Sequence, residues 1–278
     1  MVNLFERIIN KCLIHYYRER NNADGYKRAK QAIINFIADE INKNINAIFS
    51  RTSEYLCTLV DLIKEKYSGS IIDINAVTVS RLLVETSSPI GWLIDEIGIA
   101  WDRILDSPYI PASSIKGAFR AAFSTYLISE MDVELNDRNI EDVFNPIIEY
   151  IFGSTKSRGH LIFFDAYPIG LSDGYKNMVE LDVITPVYVE SIEEHLASPT
   201  PVIFLVVSPG VIFRFLSLLD SSEEENKVME IIDKYKNPSS IFDKRSLKDI
   251  IEAIFEKMLT EWGIGSKTSS GYGLFKVR

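Results

Sequence analysis

The stretch GIGSKTSSGYG, Gly263–Gly273, limits the possible folds more than any other part of the chain. A helical run of about Ser246–Trp262 precedes it. A short apolar stretch, about Tyr272–Val277, follows and reads as a strand. A lone strand after a helix must be laid into a sheet that earlier segments have built, so the chain needs both helices and a sheet. The loop also carries anion chemistry. Glycines let backbone N–H groups approach an anion closely. Lys267 adds charge, and Thr268, Ser269 and Ser270 add donors. A nucleotide-hydrolysing loop reads G-x-x-x-x-G-K-[ST] between a strand and a helix. Here Ser266 precedes the lysine, and the flanking elements come in the opposite order, so that reading is excluded.

Ahead of the loop, residues 4–67 read as helices. Leu4, Ile8, Ile9, Leu13 and Tyr16 recur at helical spacing, as do Ala32, Ile33, Phe36, Ile37, Ile41, Ile45 and Ile48. Tyr67-Ser68-Gly69-Ser70 breaks the run. A β-branched stretch, Ile74–Glu85, predicts the first strand. Helices follow at about Ser113–Met131 and Asn139–Phe152, then strands at Leu161–Tyr167 and Val179–Pro186. Val202–Val207 and Val211–Leu219 are expected to form a hairpin about Ser208-Pro209-Gly210, followed by a helix at about Ser222–Tyr235. This order fits an α+β chain with a split βαβ, ferredoxin-like core. The expected division is an N-terminal helical segment, 1–70, packed on a main domain, 71–278.

Of 278 residues, 46% are hydrophobic and 25% charged, enough for a sizeable core and ordinary for a soluble protein. No apolar run reaches the roughly 20 residues of a membrane span. The N-terminal stretch lacks the small-residue cleavage site of a signal peptide. Two cysteines, Cys12 and Cys57, make no disulfide framework, so a reducing cytoplasm is expected.

Net charge is −9, which argues against a free-standing nucleic-acid binder. Three turn-rich segments nonetheless carry no acid: Ser107–Ser129, Gly153–Phe164 and Gly263–Arg278. The first holds PYIPASSIKGAFRAAF, with Ser113 or Ser114 as the expected N-cap of a helix and Lys116 and Arg120 on one face near its positive end. Gly117 costs that helix roughly 1 kcal/mol relative to alanine, which suggests that something packs closely against it. The second segment adds Lys156 and Arg158 in FGSTKSRG. Gly25–Ala38 and His195–Leu219 are also acid-free, the one on a helix and the other in apolar strand.

YIPASSIKGAFR followed much later by GIGSKTSSGYG resembles the RAMP superfamily of CRISPR-associated proteins. RLLVETSSPIGWLIDEIGIAWDRILDSPYIPASSIKGAFR (81–120), IFGSTKSRGHLIFFDAYP (151–168), LDVITPVYVE (181–190) and TPVIFLVVSPGVIFRFLSLL (200–219) are similar, in that order, to the sixth-subunit family of type III-B Cmr complexes. The resemblance covers about 75–278 and implies a ferredoxin-like RAMP domain in a non-catalytic, RNA-binding structural subunit. It implies a cap of the backbone filament near the 3′ part of the guide RNA, beside a backbone subunit and the large RAMP cap subunit, acting in antiviral defence. It also implies guide phosphate contacts, without base specificity, from Ser113, Ser114, Lys116, Arg120 and Gly265–Gly271 (Gly265, Ser266, Lys267, Thr268, Ser269, Ser270, Gly271), with Lys156 and Arg158 more weakly. The family pattern has glycine where Ala112 stands and often histidine where Val187 stands, so no role is carried to Val187. The alternatives are a standalone RAMP endoribonuclease processing precursor RNA, and the capping subunit of a Csm complex.

Metal-free RNA cleavage needs acid–base groups. Of His15, His160 and His195, only His160 stands beside a basic loop. Asp165 and Asp182 read as structural. No Cys/His cluster has zinc spacing, and no cofactor is expected. Trp92, Trp101 and Trp262 could stack on bases, though core or interface packing is the commoner role of such residues.

Overall fold

The computed structural model describes residues 4, 6, 7, 10, 11, 14, 23–84, 99–131, 140–184, 201–220 and 222–278. Cys12, His15, Glu85, Trp92, Val187 and His195 lie outside them. The elements positioning the site are helices α1 (Ala23–Lys43), α2 (Ile45–Lys66), α3 (Ala112–Glu130), α4 (Asn145–Phe152), α5 (Glu225–Tyr235) and α6 (Leu247–Lys257). The strands are β1 (Ser70–Thr78), β2 (Trp101–Asp102), β3 (Ser107–Pro108), β4 (Leu161–Phe163), β5 (Tyr167–Leu171), β6 (Val179–Ile184), β7 (Val202–Val207), β8 (Val211–Leu219) and β9 (Phe275–Val277).

The main sheet has β1 and β8 at its centre, antiparallel over Ser70–Val77 and Leu219–Ile212. β9 pairs with the end of β1, and β4 and β5 pair in turn along β8. The strand expected at Leu161–Tyr167 is therefore one edge in two pieces, broken between Phe163 and Tyr167. All pairings are antiparallel, in the order β4/β5, β8, β1, β9. Helices α3 and α6 are the crossovers from β1 to β4 and from β8 to β9.

Alternation along the central strands sorts the sheet's two faces. Ile72, Ile74 and Ala76 on β1 share the main core with Phe213, Phe215 and Leu219 on β8. There Phe255 of α6 lies 5.5 Å from Phe119 of α3 and 5.8 Å from Phe215, ring centre to ring centre. Helix α2 covers part of the opposite face, where Leu56 and Val60 meet Tyr167 and Leu216. The Tyr167 hydroxyl donates to Asp102 (2.7 Å), and burial, then that carboxylate, pushes its pKa far up.

The long helices are tied to the sheets by polar contacts. Thr52 Oγ1 donates to the Pro168 carbonyl (2.6 Å). Asn42 donates to the Val179 carbonyl (2.9 Å) and accepts the Met178 and Val179 N–H groups (2.8 and 3.1 Å). Ile33, Ile34, Ile37 and Ile41 of α1 enter the same core as the main sheet.

The hairpin expected at Val202–Leu219 does not form. Strand β7 pairs with β6 in a separate small sheet, while β8 runs through the main one. Ser208-Pro209-Gly210 is the corner between them, and Thr78, at the end of β1, holds it. Its buried hydroxyl donates to the Ser208 carbonyl (2.8 Å) and accepts the Val211 N–H (2.9 Å), while its carbonyl accepts from Gly210 (2.7 Å). The first strand runs Ser70–Thr78 rather than from Ile74 onward to Glu85; past Thr78, among the described residues up to Val84, only Leu82 makes a bridge, to Val207.

Thr78→Val should cost roughly 2–4 kcal/mol, because it strands a buried acceptor and a buried donor. Thr78→Ser should cost about 1 kcal/mol, since only a methyl is lost. Urea midpoints at constant m-value would separate the two.

Candidate functional site

Helix α3 begins at Ala112, with Pro111 as its N-cap and no side-chain cap on its own strand of sequence. Ser113 and Ser114 therefore lie inside the first turn and do not cap it. The cap comes from 53 residues away: Asp165, in the β4–β5 break, accepts the Ala112 N–H at 2.7 Å. A carboxylate already sits at the helix's positive end.

The helix divides its own functional residues between two clefts. Ala112, Ser113 and Lys116 face a cleft of about 430 Å³ that Arg158 and Gly159 complete. Lys116 Nζ donates to the Phe152 carbonyl (2.9 Å), which ends α4, and the Arg120 guanidinium lies 5.9 Å from the Phe152 ring. Arg158 pairs with Asp220 (3.1 Å). Lys156, at the exposed tip of the same turn, has no side-chain partner among the described residues.

On its other side, Ser114, Gly117, Ala118 and Ala121 form one wall of a cleft of about 500 Å³. Trp262, Gly263, Gly265, Ser266 and Thr268 line the rest. Among the described residues, none that lines this cleft is charged. The expected close approach at Gly117 does not come from the described residues: a Cβ there would meet nothing of theirs within 4 Å.

The glycine loop is docked on the extended stretch after β1. Ser266 N–H donates to the Leu83 carbonyl (2.7 Å) and Gly273 N–H to the Arg81 carbonyl (2.8 Å). Gly265 has φ +97, and a Cβ on it would lie 2.4 Å from the Leu83 oxygen, so only glycine fits. Lys267 is left-handed at φ 62 and starts the turn Thr268–Ser270. The N–H groups of Lys267, Thr268 and Ser269 have no partner among the described residues, so they remain available to an acceptor. The Lys267 ammonium instead lies over two rings, 5.0 Å from the centre of Phe204 and 5.7 Å from that of Tyr272.

Sequence reasoning missed the residues that hold this loop. Tyr272 donates its hydroxyl to Asp182 of β6, and burial followed by that bond raises its pKa. Arg81 joins Asp182 (3.4 Å) and Glu180 (2.6 Å). On the α6 side, Tyr126 donates to Glu261 (2.9 Å), whose carboxyl is held below its usual range first by Lys257 and then by Tyr126. The three acid-free segments are thus bordered in space by Asp165, Asp182, Asp220 and Glu261. His160 lines neither α3 cleft. It stacks on Tyr150 at 4.3 Å and shares a third cleft with Arg158, Glu149, Glu224 and Lys227. Trp101 is buried in the core, and Trp262 is 38% exposed. Among the described residues, no cluster of His, Cys, Asp and Glu could hold a metal ion.

An antiparallel sheet crossed by α3 and α6, with a glycine loop between α6 and β9 facing α3, defines the class. Residues 94–276 match the model of the RAMP superfamily, and the chain belongs to it. It is similar to the CRISPR system CMR subunit Cmr6 of Saccharolobus solfataricus, at 28% identity over 94% of this chain and 76% of that protein. It is also 25% identical to the CRISPR system Cmr subunit Cmr6 of Pyrococcus furiosus, over 70% of this chain and 65% of that one. Its fold matches a chain in the cryo-EM structure of the type III-B Cmr-beta bound to cognate target RNA. The TM-score is 0.60 and the identity 26%, over 96% of this chain and 80% of the other.

Gly117→Ala should stabilise the free chain by about 1 kcal/mol, because helix propensity rises and nothing is displaced. The melting temperature should rise by about 2–4 °C. Asp165→Ala should lower stability by about 1 kcal/mol through the lost cap, read in the same melts.

Proposed function

We propose that this chain is a non-catalytic, RNA-binding subunit of a type III-B RNA-guided complex, holding guide phosphates near the 3′ end at the end of the backbone filament. Its immediate partners would be a backbone subunit and the large RAMP cap subunit, in the cytoplasm. Similarity to Cmr6 proteins over most of the chain supports the assembly. The strand order and the two crossover helices support a ferredoxin-like core, with α1 and α2 as an N-terminal extension.

One observation carries the RNA reading. The three acid-free segments, far apart in sequence, meet at α3, with the glycine loop on one flank and the Gly153–Gly159 turn on the other. Lys116, Arg120, Lys156 and Arg158 then supply charge on the second flank. The N–H groups of Lys267, Thr268 and Ser269 supply neutral donors on the first. Lys267 itself contributes by fixing the loop through Phe204 and Tyr272 more than by reaching outward. Contacts of this kind hold the backbone of an RNA, while base pairing reads its sequence. No helix among the described residues is long and apolar enough to cross a membrane.

Arg120→Ala and Lys156→Ala are the clean tests, because neither side chain has an ion-pair partner among the described residues. Each should weaken retention of every guide by a similar factor in the reconstituted complex. Each should also lower the log–log salt slope by about one. A change in guide selection at unaltered affinity would contradict phosphate contact. Cleavage of precursor RNA by the purified chain, abolished by His160→Ala, would contradict the non-catalytic reading.

A further inference from the structure

The cleft between α3 and the glycine loop is chemically unlike the rest of the proposed RNA surface. Among the described residues its lining has no charge, whereas the cleft on the other side of α3 has Lys116 and Arg158. Its volume, about 500 Å³, lies in the usual range for small-ligand sites. One wall bears Trp262, and the opposite wall bears Gly117 with open space where a side chain would stand. Glycine at a helical position is unfavourable, and here no positive φ and no contact among the described residues calls for it. Among the described residues nothing fills the space above it.

Trp262 is held ready rather than left loose. Its ring lies 6.3 Å from that of Tyr126, whose hydroxyl donates a hydrogen bond to Glu261. More than a third of the residue stays exposed. Ser114 and Thr268 line the same cleft, and their hydroxyls have no partner among the described residues. An apolar platform, a matching gap and two free hydroxyls suit a flat heteroaromatic ring with polar edges. A phosphate would find no countercharge there among the described residues.

We propose that this cleft takes one unpaired base of the guide RNA, stacked on Trp262 over Gly117, with Ser114 and Thr268 bonding its edge or its ribose. Resting on the proposed function, this adds a one-nucleotide base pocket to a surface otherwise made for phosphates. Stacking on a π-face discriminates little between bases, so the pocket selects for an unpaired nucleotide at a fixed position rather than for a sequence.

The test uses the complex reconstituted with a guide of fixed sequence, and with a set of guides carrying a single abasic nucleotide at each position of the 3′ half. Trp262→Ala should weaken retention of the intact guide roughly ten-fold, the scale of one stacked base, and Trp262→Phe should restore most of it. Gly117→Leu, which fills the cleft, should lower retention comparably while melting no earlier than the parent chain. One abasic position should weaken the parent complex by the same factor, and Trp262→Ala should add nothing there. Equal loss on every abasic guide, no loss on any, or failure of the Trp262→Ala chain to enter the complex would each overturn the base pocket. The last would reveal a protein contact instead. If Arg120→Ala and Lys156→Ala still weaken retention, the phosphate surface stands without the pocket; if they too have no effect, both readings fall.

Discussion

The contact on which most of this molecule depends is Phe255 between Phe119 and Phe215. It fastens the two crossover helices to each other and to the central strand β8. Phe215 and Phe213 also meet Phe275 on β9, so the strand after the glycine loop joins the same aromatic core. Rings in such offset and edge-on arrangements gain on the order of 1 kcal/mol each beyond their buried area. The functional surface is made of what emerges from this core on either side: the first half of α3, and the loop that leaves α6. Neither wall of the cleft can shift without disturbing close-packed rings.

Helix α3 then acts as a divider. Residues three and four apart share a face, so Ser114, Gly117, Ala118 and Ala121 fall on one side, and Ser113, Lys116 and Arg120 on another. The chemistry separates along the same line, neutral and open toward the glycine loop, cationic toward the end of α4. Asp165 at the helix start and Asp220 on Arg158 temper the cationic side. On the proposed function, such a surface would hold an anionic polymer through several modest contacts inside an assembly, which fits a chain with a net charge of −9.

Local pattern made a good part of this visible in advance. The glycine loop between a helix and a strand and the span of α3 to within a residue could both be read from spacing alone. What stayed hidden was set by distant partners. Ser-Pro-Gly signals a reversal of direction equally for a hairpin and for a corner between sheets. The choice lies with β6 and β1, which claim β7 and β8 separately. Two serines at a helix start look like caps, until an aspartate from another element reaches the first N–H. Lys267 looks like a free cation in a polar loop, and only the fold brings Phe204 beneath it. Absence of acid along the sequence did not mean absence of acid in space, because Asp182 and Glu261 arrive from β6 and from the turn after α6.

The corner at Ser208-Pro209-Gly210 has a mechanical consequence. From Val202 to Leu219 the backbone is one nearly continuous length of strand, bent once, serving the small sheet with its first part and the main sheet with its second. Thr78 clamps the bend from the neighbouring strand. A load applied to the small sheet would thus pass along covalent backbone into the centre of the main sheet. The two sheets share a girder, and under tension they would give way as one body rather than in sequence.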